Sequence, residues 1–254
     1  MRSFILTLLL GSTTLARSQV LPQIQGPRHP GGKVKIMGGT GAILTLGTRG
    51  YRRFGLYGDV LWEREPLSPY AWGEYAVNRN ARTLTLGGGA WKDFDNDWSV
   101  KGGLGLTFGR FKDSDESSRS ATFETGAEKY LDGNTFGGEY RLTSGSIGGS
   151  TAFSSNEKVV GDHVRGKAAR FQRAEADHYS YNEFSAYARL PAGETFIGLR
   201  ATLGLPSYSS AVLTETLSWT IPIVQALSTR LSFSLEQGRQ NNAYVSAGLD
   251  YRFR

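Results

Sequence analysis

Apolar and polar residues alternate with a period of two along most of the chain from about residue 38 onward, broken by turn-forming residues at fairly regular intervals. The final stretch shows this best. Val245, Ala247, Leu249, Tyr251 and Phe253 occupy one parity, and Tyr244, Ser246, Gly248, Asp250 and Arg252 the other. A strand throws successive side chains to opposite faces, so the segment presents an apolar wall backed by a polar one. The pattern recurs in Phe54–Trp62, Leu84–Ala90, Trp98–Phe108, Phe136–Leu142, Phe184–Leu190, Ile197–Leu205 and Leu231–Leu235, and more faintly near 38–47, 70–78, 121–130 and 210–220. This predicts about twelve strands, with ten or fourteen as alternatives, each roughly ten residues long, which suits a tilted strand crossing a bilayer.

The expected fold class is therefore all-β: an antiparallel transmembrane barrel with its apolar wall in lipid and its polar wall around a lumen. A secreted soluble β-sandwich binding protein would also alternate, and stands as an alternative. Sandwich strands usually run about five or six residues, shorter than these. The polar parity also carries Lys101, Glu139, Arg141 and Arg200 at mid-strand, which suits a wet interior. The five tryptophans, Trp62, Trp72, Trp91, Trp98 and Trp219, fall near predicted strand ends. Trp62, Trp91, Trp98 and Trp219, with Tyr251 and Phe253, are accordingly the expected aromatic girdle at the headgroups. No proline interrupts a predicted strand centre.

Asn78–Asn80, Asp132–Asn134 and Pro191–Glu194 read as hairpin turns. Lys112–Ser120 and the stretch from Ser144 to Asp177 read as longer, polar connectors. Barrels of the bacterial outer membrane keep short turns in the periplasm and long loops outside. With the C-terminus in the periplasm, twelve strands put both long connectors outside, the Asp132 and Pro191 turns inside, and the Asn78 turn outside. Counting Thr151–Val160 as a further strand would reverse the topology upstream of it.

The N-terminus and composition refine this picture. Arg2 followed by the short apolar run Phe4–Leu10, then Ala16-Arg17-Ser18, reads as a signal peptide over residues 1–18. Residues 19–37, with Pro22, Pro27 and Pro30, read as a flexible periplasmic lead-in, which leaves 38–254 for the barrel. Losing Arg2 and Arg17 lowers the formal charge from +6 to about +4. The basic residues are dispersed among carboxylates, so nucleic acid is not an expected partner. The absence of cysteine excludes disulfides and thiolate metal sites, and three widely spaced histidines, His29, His163 and His178, suggest neither a metal site nor a cofactor. Thirty-three glycines, roughly twice the usual share, sit inside the alternating segments rather than in low-complexity runs.

The tail Val245, Ala247, Leu249, Tyr251, Phe253 resembles the closing strand of bacterial outer-membrane β-barrel proteins, which ends in an aromatic preceded by apolar residues at alternate positions. The resemblance implies an outer-membrane location in a Gram-negative cell and recognition of these five residues by the barrel-assembly machinery. One residue departs from the pattern: Arg254 follows the terminal aromatic. Chain length and the run Phe196-Ile-Gly-Leu-Arg200 are loosely similar to YaiO-type barrels.

The candidate lumen parity carries Asp59, Glu124, Glu128, Glu139, Glu183, Glu236 and Asp250 against Lys101, Arg141, Arg189, Arg200, Arg230 and Arg252. Mixed signs suit a narrow, weakly selective, porin-like channel, or an interior closed by ion pairs in a structural surface protein. Glu215 stands on the apolar parity with Leu213, Leu217 and Trp219, where an acid is costly. His178 and Ser180 share a strand face, which raises the alternative of a lipid A or phospholipid acyl hydrolase with a histidine-activated serine. This pair is similar to the His-x-Ser of lipid A deacylases, although Tyr181 stands where that family has asparagine, and Glu183 lies on the opposite parity. A non-enzymatic role is the expectation. The basic residues Lys158, Arg165, Lys167, Arg170 and Arg173 suit contact with lipopolysaccharide phosphates, alongside membrane lipids generally.

Overall fold

A computed structural model describes residues 35–64, 66–112, 116–149, 177–207, 210–238 and 241–253. The signal peptide, most of the lead-in, Thr151–Val160, the basic residues between Lys158 and Arg173, and Arg254 lie outside them. Twelve antiparallel strands form one sheet that closes on itself: β1 (Lys35–Gly47), β2 (Arg52–Glu63), β3 (Ser68–Asn78), β4 (Ala81–Phe94), β5 (Trp98–Phe111), β6 (Glu116–Leu131), β7 (Asn134–Gly149), β8 (Asp177–Ala192), β9 (Thr195–Pro206), β10 (Val212–Val224), β11 (Leu227–Gln237) and β12 (Asn242–Phe253). Each strand pairs with its sequence neighbours, and β1 pairs with β12 from Gly38↔Phe253 to Gly47↔Tyr244. Closure removes every sheet edge, which lipid demands because it offers no partner for a free N–H or C=O.

The alternation becomes an inside and an outside. Leu84, Leu86, Leu104, Leu106, Phe108, Phe123, Leu199, Leu217, Phe233, Val245 and Leu249 are among the large apolar side chains left exposed on the outer wall. Between them Thr85, Thr107, Glu124, Thr202, Ser232 and Ser246 turn inward and are buried. Alternating strands whose apolar face is the exposed one belong in lipid, not water. This overturns the soluble β-sandwich, whose apolar faces would meet in a core between two sheets.

Asp132 and Gly133, both at positive φ, make the two-residue turn between β6 and β7. That end of the barrel also carries the start of β1, the end of β12 and the short β2–β3, β4–β5, β8–β9 and β10–β11 connections. The longest connector, residues 150–176, leaves from the opposite end with the Asn78 turn. This is the polarity of an outer-membrane barrel with its termini in the periplasm.

Several expectations need correction. The strands run from 11 to 16 residues rather than about ten. Polar sequence concealed their ends: β6 starts at Glu116, inside the expected Lys112–Ser120 loop, and β7 continues to Gly149, through Ser144. Ladder hydrogen bonds are indifferent to side-chain polarity once a strand rises clear of the hydrocarbon. Trp91 does not join the girdle. It shares the parity of Thr85, points inward and is only 1% exposed. Trp72 likewise sits mid-strand in β3, packed on the inner cluster of Leu61, Tyr70 and Trp91. Proximity to a strand end does not choose the face; parity does.

Candidate functional site within the barrel

The inward face is built from three kinds of residue, each fixed by strand register. The first is a set of in-register hydroxyl pairs: Thr45–Ser246 at 2.9 Å, Thr85–Thr107 at 3.1 Å, Thr122–Thr143 at 2.9 Å, Ser185–Thr202 at 3.0 Å and Thr216–Ser234 at 2.9 Å. Each pair ties two adjacent strands together by a side-chain hydrogen bond within the wall.

The second is aromatic residues lying across glycines. Tyr57, Trp72, Tyr187 and Tyr244 stand directly opposite Gly41, Gly87, Gly137 and Gly47 on the neighbouring strand. A Cβ on any of these glycines would collide with the facing ring. The missing side chain lets a large ring lie flat against the wall. Flattened, the rings reach past their neighbours: Tyr57 crosses β1 to donate to Asp250, and Tyr187 donates to Glu128 at 2.6 Å. Tyr70 reaches Glu124, also at 2.6 Å. In the connector after β1, Tyr51 meets Tyr244 edge-on at 5.3 Å, and burial pushes its hydroxyl pKa up to about 12.

The third is ionic. On the wall formed by β5–β9, Glu139 accepts from Lys101 at 2.7 Å, Arg141 at 2.5 Å and Arg200 at 2.7 Å. Arg141 also lies 3.4 Å from Glu124 and 3.5 Å from Glu183. Three carboxylates thus balance three cations. On β11, β12 and β2, nearer the termini, Arg230 pairs with Asp250 at 3.0 Å and Arg252 with Asp59 at 2.8 Å. Towards the other end Arg53 pairs with Glu74, and Glu236 accepts from Asn242 at 2.7 Å. Arg189 stacks on Phe196 at 3.9 Å. Asp59, Lys101, Glu139, Arg141, Glu183, Arg200, Arg230, Glu236, Asp250 and Arg252 all fall into these inward networks.

The Arg53–Glu74 pair and the aromatic–glycine pairs escaped the sequence reading. Parity could have found them, since Arg53 shares the face of Tyr57 and Asp59, and Tyr187 that of Glu183. Across β9–β12, by contrast, Thr202, Gly204, Thr214, Thr216, Ser218, Ser232, Ser234, Ser246 and Gly248 turn inward. These short side chains stand among the inward Arg200, Arg230, Glu236, Tyr244, Asp250 and Arg252 of the same strands, and on β10 they stand alone along most of the strand.

The outer wall carries the remaining candidates. Trp62, Trp98, Trp219, Tyr251 and Phe253 are exposed there, between 42% and 48%. Val245, Ala247 and Leu249 continue the same outward file on β12. Glu215 points outward as its parity required, over a depression of about 480 Å³ bordered by Ala186, Ala188, Ala201, Leu217 and Phe233. His178 and Ser180 also share the outer face, near the long-connector end of β8. No hydrogen bond joins them among the described residues; the Ser180 N–H donates to Ser207 Oγ at 3.0 Å. Glu183 is on the inner face, bound up with Arg141. Among the described residues no cluster of His, Asp and Glu could hold a metal ion.

No protein-family model and no curated protein matches the chain. Solved structures do resemble it. The KdgM porin superposes with a TM-score of 0.56 at 9% identity, covering 85% of this chain and 99% of that one. In complex with disordered oligogalacturonate it gives a TM-score of 0.55 at 8% identity, with the same coverage. The NanC porin gives 0.57 at 8% identity, covering 84% of this chain and 98% of the porin. The translocator domain of the autotransporter NalP from Neisseria meningitidis gives 0.55 at 12% identity, covering 96% and 95%. At these identities the likeness is one of fold. The chain is a closed twelve-stranded porin-like β-barrel whose exposed apolar outer wall belongs among membrane lipids.

Proposed function

We propose that this barrel is a narrow, weakly selective aqueous channel for small hydrophilic solutes, without catalytic activity. One observation carries the reading: the interior is lopsided. Long charged and aromatic side chains crowd β2–β8, whereas β10 turns only Thr214, Thr216, Ser218 and Thr220 inward along most of its length, with Thr202, Gly204, Ser232 and Ser234 beside them and Arg200, Arg230 and Glu236 at the flanks. Barrels of about eight strands are just filled by their own side chains, so twelve strands with a stretch of short residues around β10 leave room for water.

Weak selectivity follows from pairing. The inward cations are tied to carboxylates or, for Arg189, stacked on a ring. KdgM has been seen with oligogalacturonate, an acidic saccharide. Holding such a chain here would call for a track of cations unpaired with carboxylates, which the described residues do not supply.

Planar-bilayer recording of purified, refolded protein tests the proposal. Small ohmic steps with near-equal permeability to potassium and chloride are expected. Silence from protein that shows heat-modifiable migration in electrophoresis would replace the channel by a structural surface role. Among the described residues, no orienting acid stands on the His178–Ser180 face for the acyl-hydrolase alternative. Incubation with lipid A or phospholipid should leave acyl chains intact, and hydrolysis abolished by Ser180→Ala would restore that alternative. The same reading includes cleavage after Ser18, delivery by the assembly machinery through Val245, Ala247, Leu249, Tyr251 and Phe253, and an outer leaflet containing lipopolysaccharide around the long-connector end.

A further inference from the structure

Three arginines on the outside of the barrel have no counterpart in the channel reading. Arg82 on β4, Arg110 on β5 and Arg119 on β6 are all exposed. Their inward neighbours Ala81, Thr107 and Ser120 are buried, so the guanidinium-bearing side chains project from the outer wall. Register brings them together. Arg82 stands directly opposite Arg110, and Arg119, opposite Phe108, is the diagonal neighbour of Arg110. Directly opposed Cβ atoms in a sheet are about 5 Å apart and diagonal ones about 7–8 Å. Three guanidiniums on three successive strands therefore share one patch.

Like charges directly opposed across a ladder destabilise it. Among the described residues none of the three arginines has an ion pair with a carboxylate, in contrast to the paired arginines of the lumen. The patch also has a defined height. It lies at the barrel end that carries the Asn78 turn and the 150–176 connector. The outer wall turns apolar within two to four residues on the same strands: Leu84 and Leu86 on β4, Phe108 and Leu106 on β5, Phe123 on β6. Cations at the rim above an unbroken apolar wall match one kind of molecule, an amphiphile with phosphate at the headgroup and acyl chains below. Arginine suits this role because its planar fork binds phosphate oxygens in pairs.

We propose that Arg82, Arg110 and Arg119 form a binding site for a phosphorylated lipid of the outer leaflet, with the phosphate between the guanidiniums and the acyl chains along Leu84, Leu106, Phe108 and Phe123. The bound phosphate relieves the repulsion between Arg82 and Arg110 and anchors this side of the barrel to the leaflet. The site is separate from the lumen, so it stands whether or not the barrel conducts.

The test uses the full-length barrel refolded in a neutral detergent, titrated with bis-phosphorylated lipid A, with its dephosphorylated form and with inorganic phosphate. Bis-phosphorylated lipid A should bind, and the dephosphorylated lipid and free phosphate only weakly. An arginine near an anionic lipid contributes roughly fivefold to affinity, so R82Q/R110Q/R119Q should weaken binding about 100-fold. The triple lysine variant should recover part of that loss. Heat-modifiable migration and conductance of the glutamine variant should match the parent protein, since none of these residues faces the lumen. Equal affinity of parent and glutamine variant for bis-phosphorylated lipid A, or equal binding of the dephosphorylated lipid by the parent, would overturn the site. Tight binding of inorganic phosphate alone would make it an anion site rather than a lipid site.

Discussion

Glu139 is the most consequential single side chain inside the barrel, and Glu139→Gln tests both its structural and its electrical role. Its carboxylate is 3% exposed and takes charge-assisted hydrogen bonds from Lys101, Arg141 and Arg200. At an effective dielectric constant of about 20, an ion pair at this separation is worth roughly 5–6 kcal/mol, most of it offset by the desolvation needed to form it. Deleting one partner forfeits the attraction but keeps the desolvation, and typically costs about 3–5 kcal/mol. The lower half of that range is expected. Lys101 and Arg200 retain 14% and 11% exposure and can turn towards lumen water, whereas Arg141 at 5% cannot. Urea unfolding in phospholipid vesicles reads the loss as a lower midpoint. Lys101→Met added to Glu139→Gln should recover part of it, since one orphaned cation is gone. Because the cluster sets three carboxylates against three cations, removing one negative charge should also move the reversal potential in a potassium chloride gradient towards that of chloride. A folded Glu139→Gln variant with unchanged urea midpoint and unchanged reversal potential would refute the idea that this cluster is coupled and borders the conduction path.

Two further substitutions probe how the interior is packed. Trp91→Ala should destabilise the barrel by about 3–5 kcal/mol, because it empties a buried site against Leu61 and Tyr70 and removes the ring beneath the Lys101 ammonium. Trp219→Ala, on the outer wall, should cost much less in the same unfolding assay, and equal losses would contradict the opposite orientations of the two rings. Gly89→Ala should abolish refolding to the heat-modifiable form, since a Cβ there would strike the Gly102 carbonyl oxygen and lie 2.7 Å from Gly103 Cα, both backbone atoms that cannot swing aside. Normal refolding of that variant would show that β4 and β5 tolerate a wider spacing than their register implies.

What the sequence settled by itself is what the period of two encodes. Because a strand alternates strictly, parity alone separated the outward Val245, Leu249 and Phe253 from the inward Ser246 and Asp250, and it put Glu215 on the lipid side despite its charge. Length and alternation together called for a barrel, because lipid leaves no other use for amphipathic strands. Only the closed sheet decided the rest. Strand ends such as Glu116 and Gly149 rise above the apolar belt, where local composition stops marking them. Which inward residues meet is a matter of register between strands distant in sequence: Tyr57 finds Asp250 and Arg252 finds Asp59 because β12 closes on β1, beside β2. Register between successive strands likewise gathered Lys101, Arg141 and Arg200 around one carboxylate, and set Arg82 against Arg110 on the outer rim. A side chain's face is written in its own strand, but its partners are chosen by the ladder that closes the barrel.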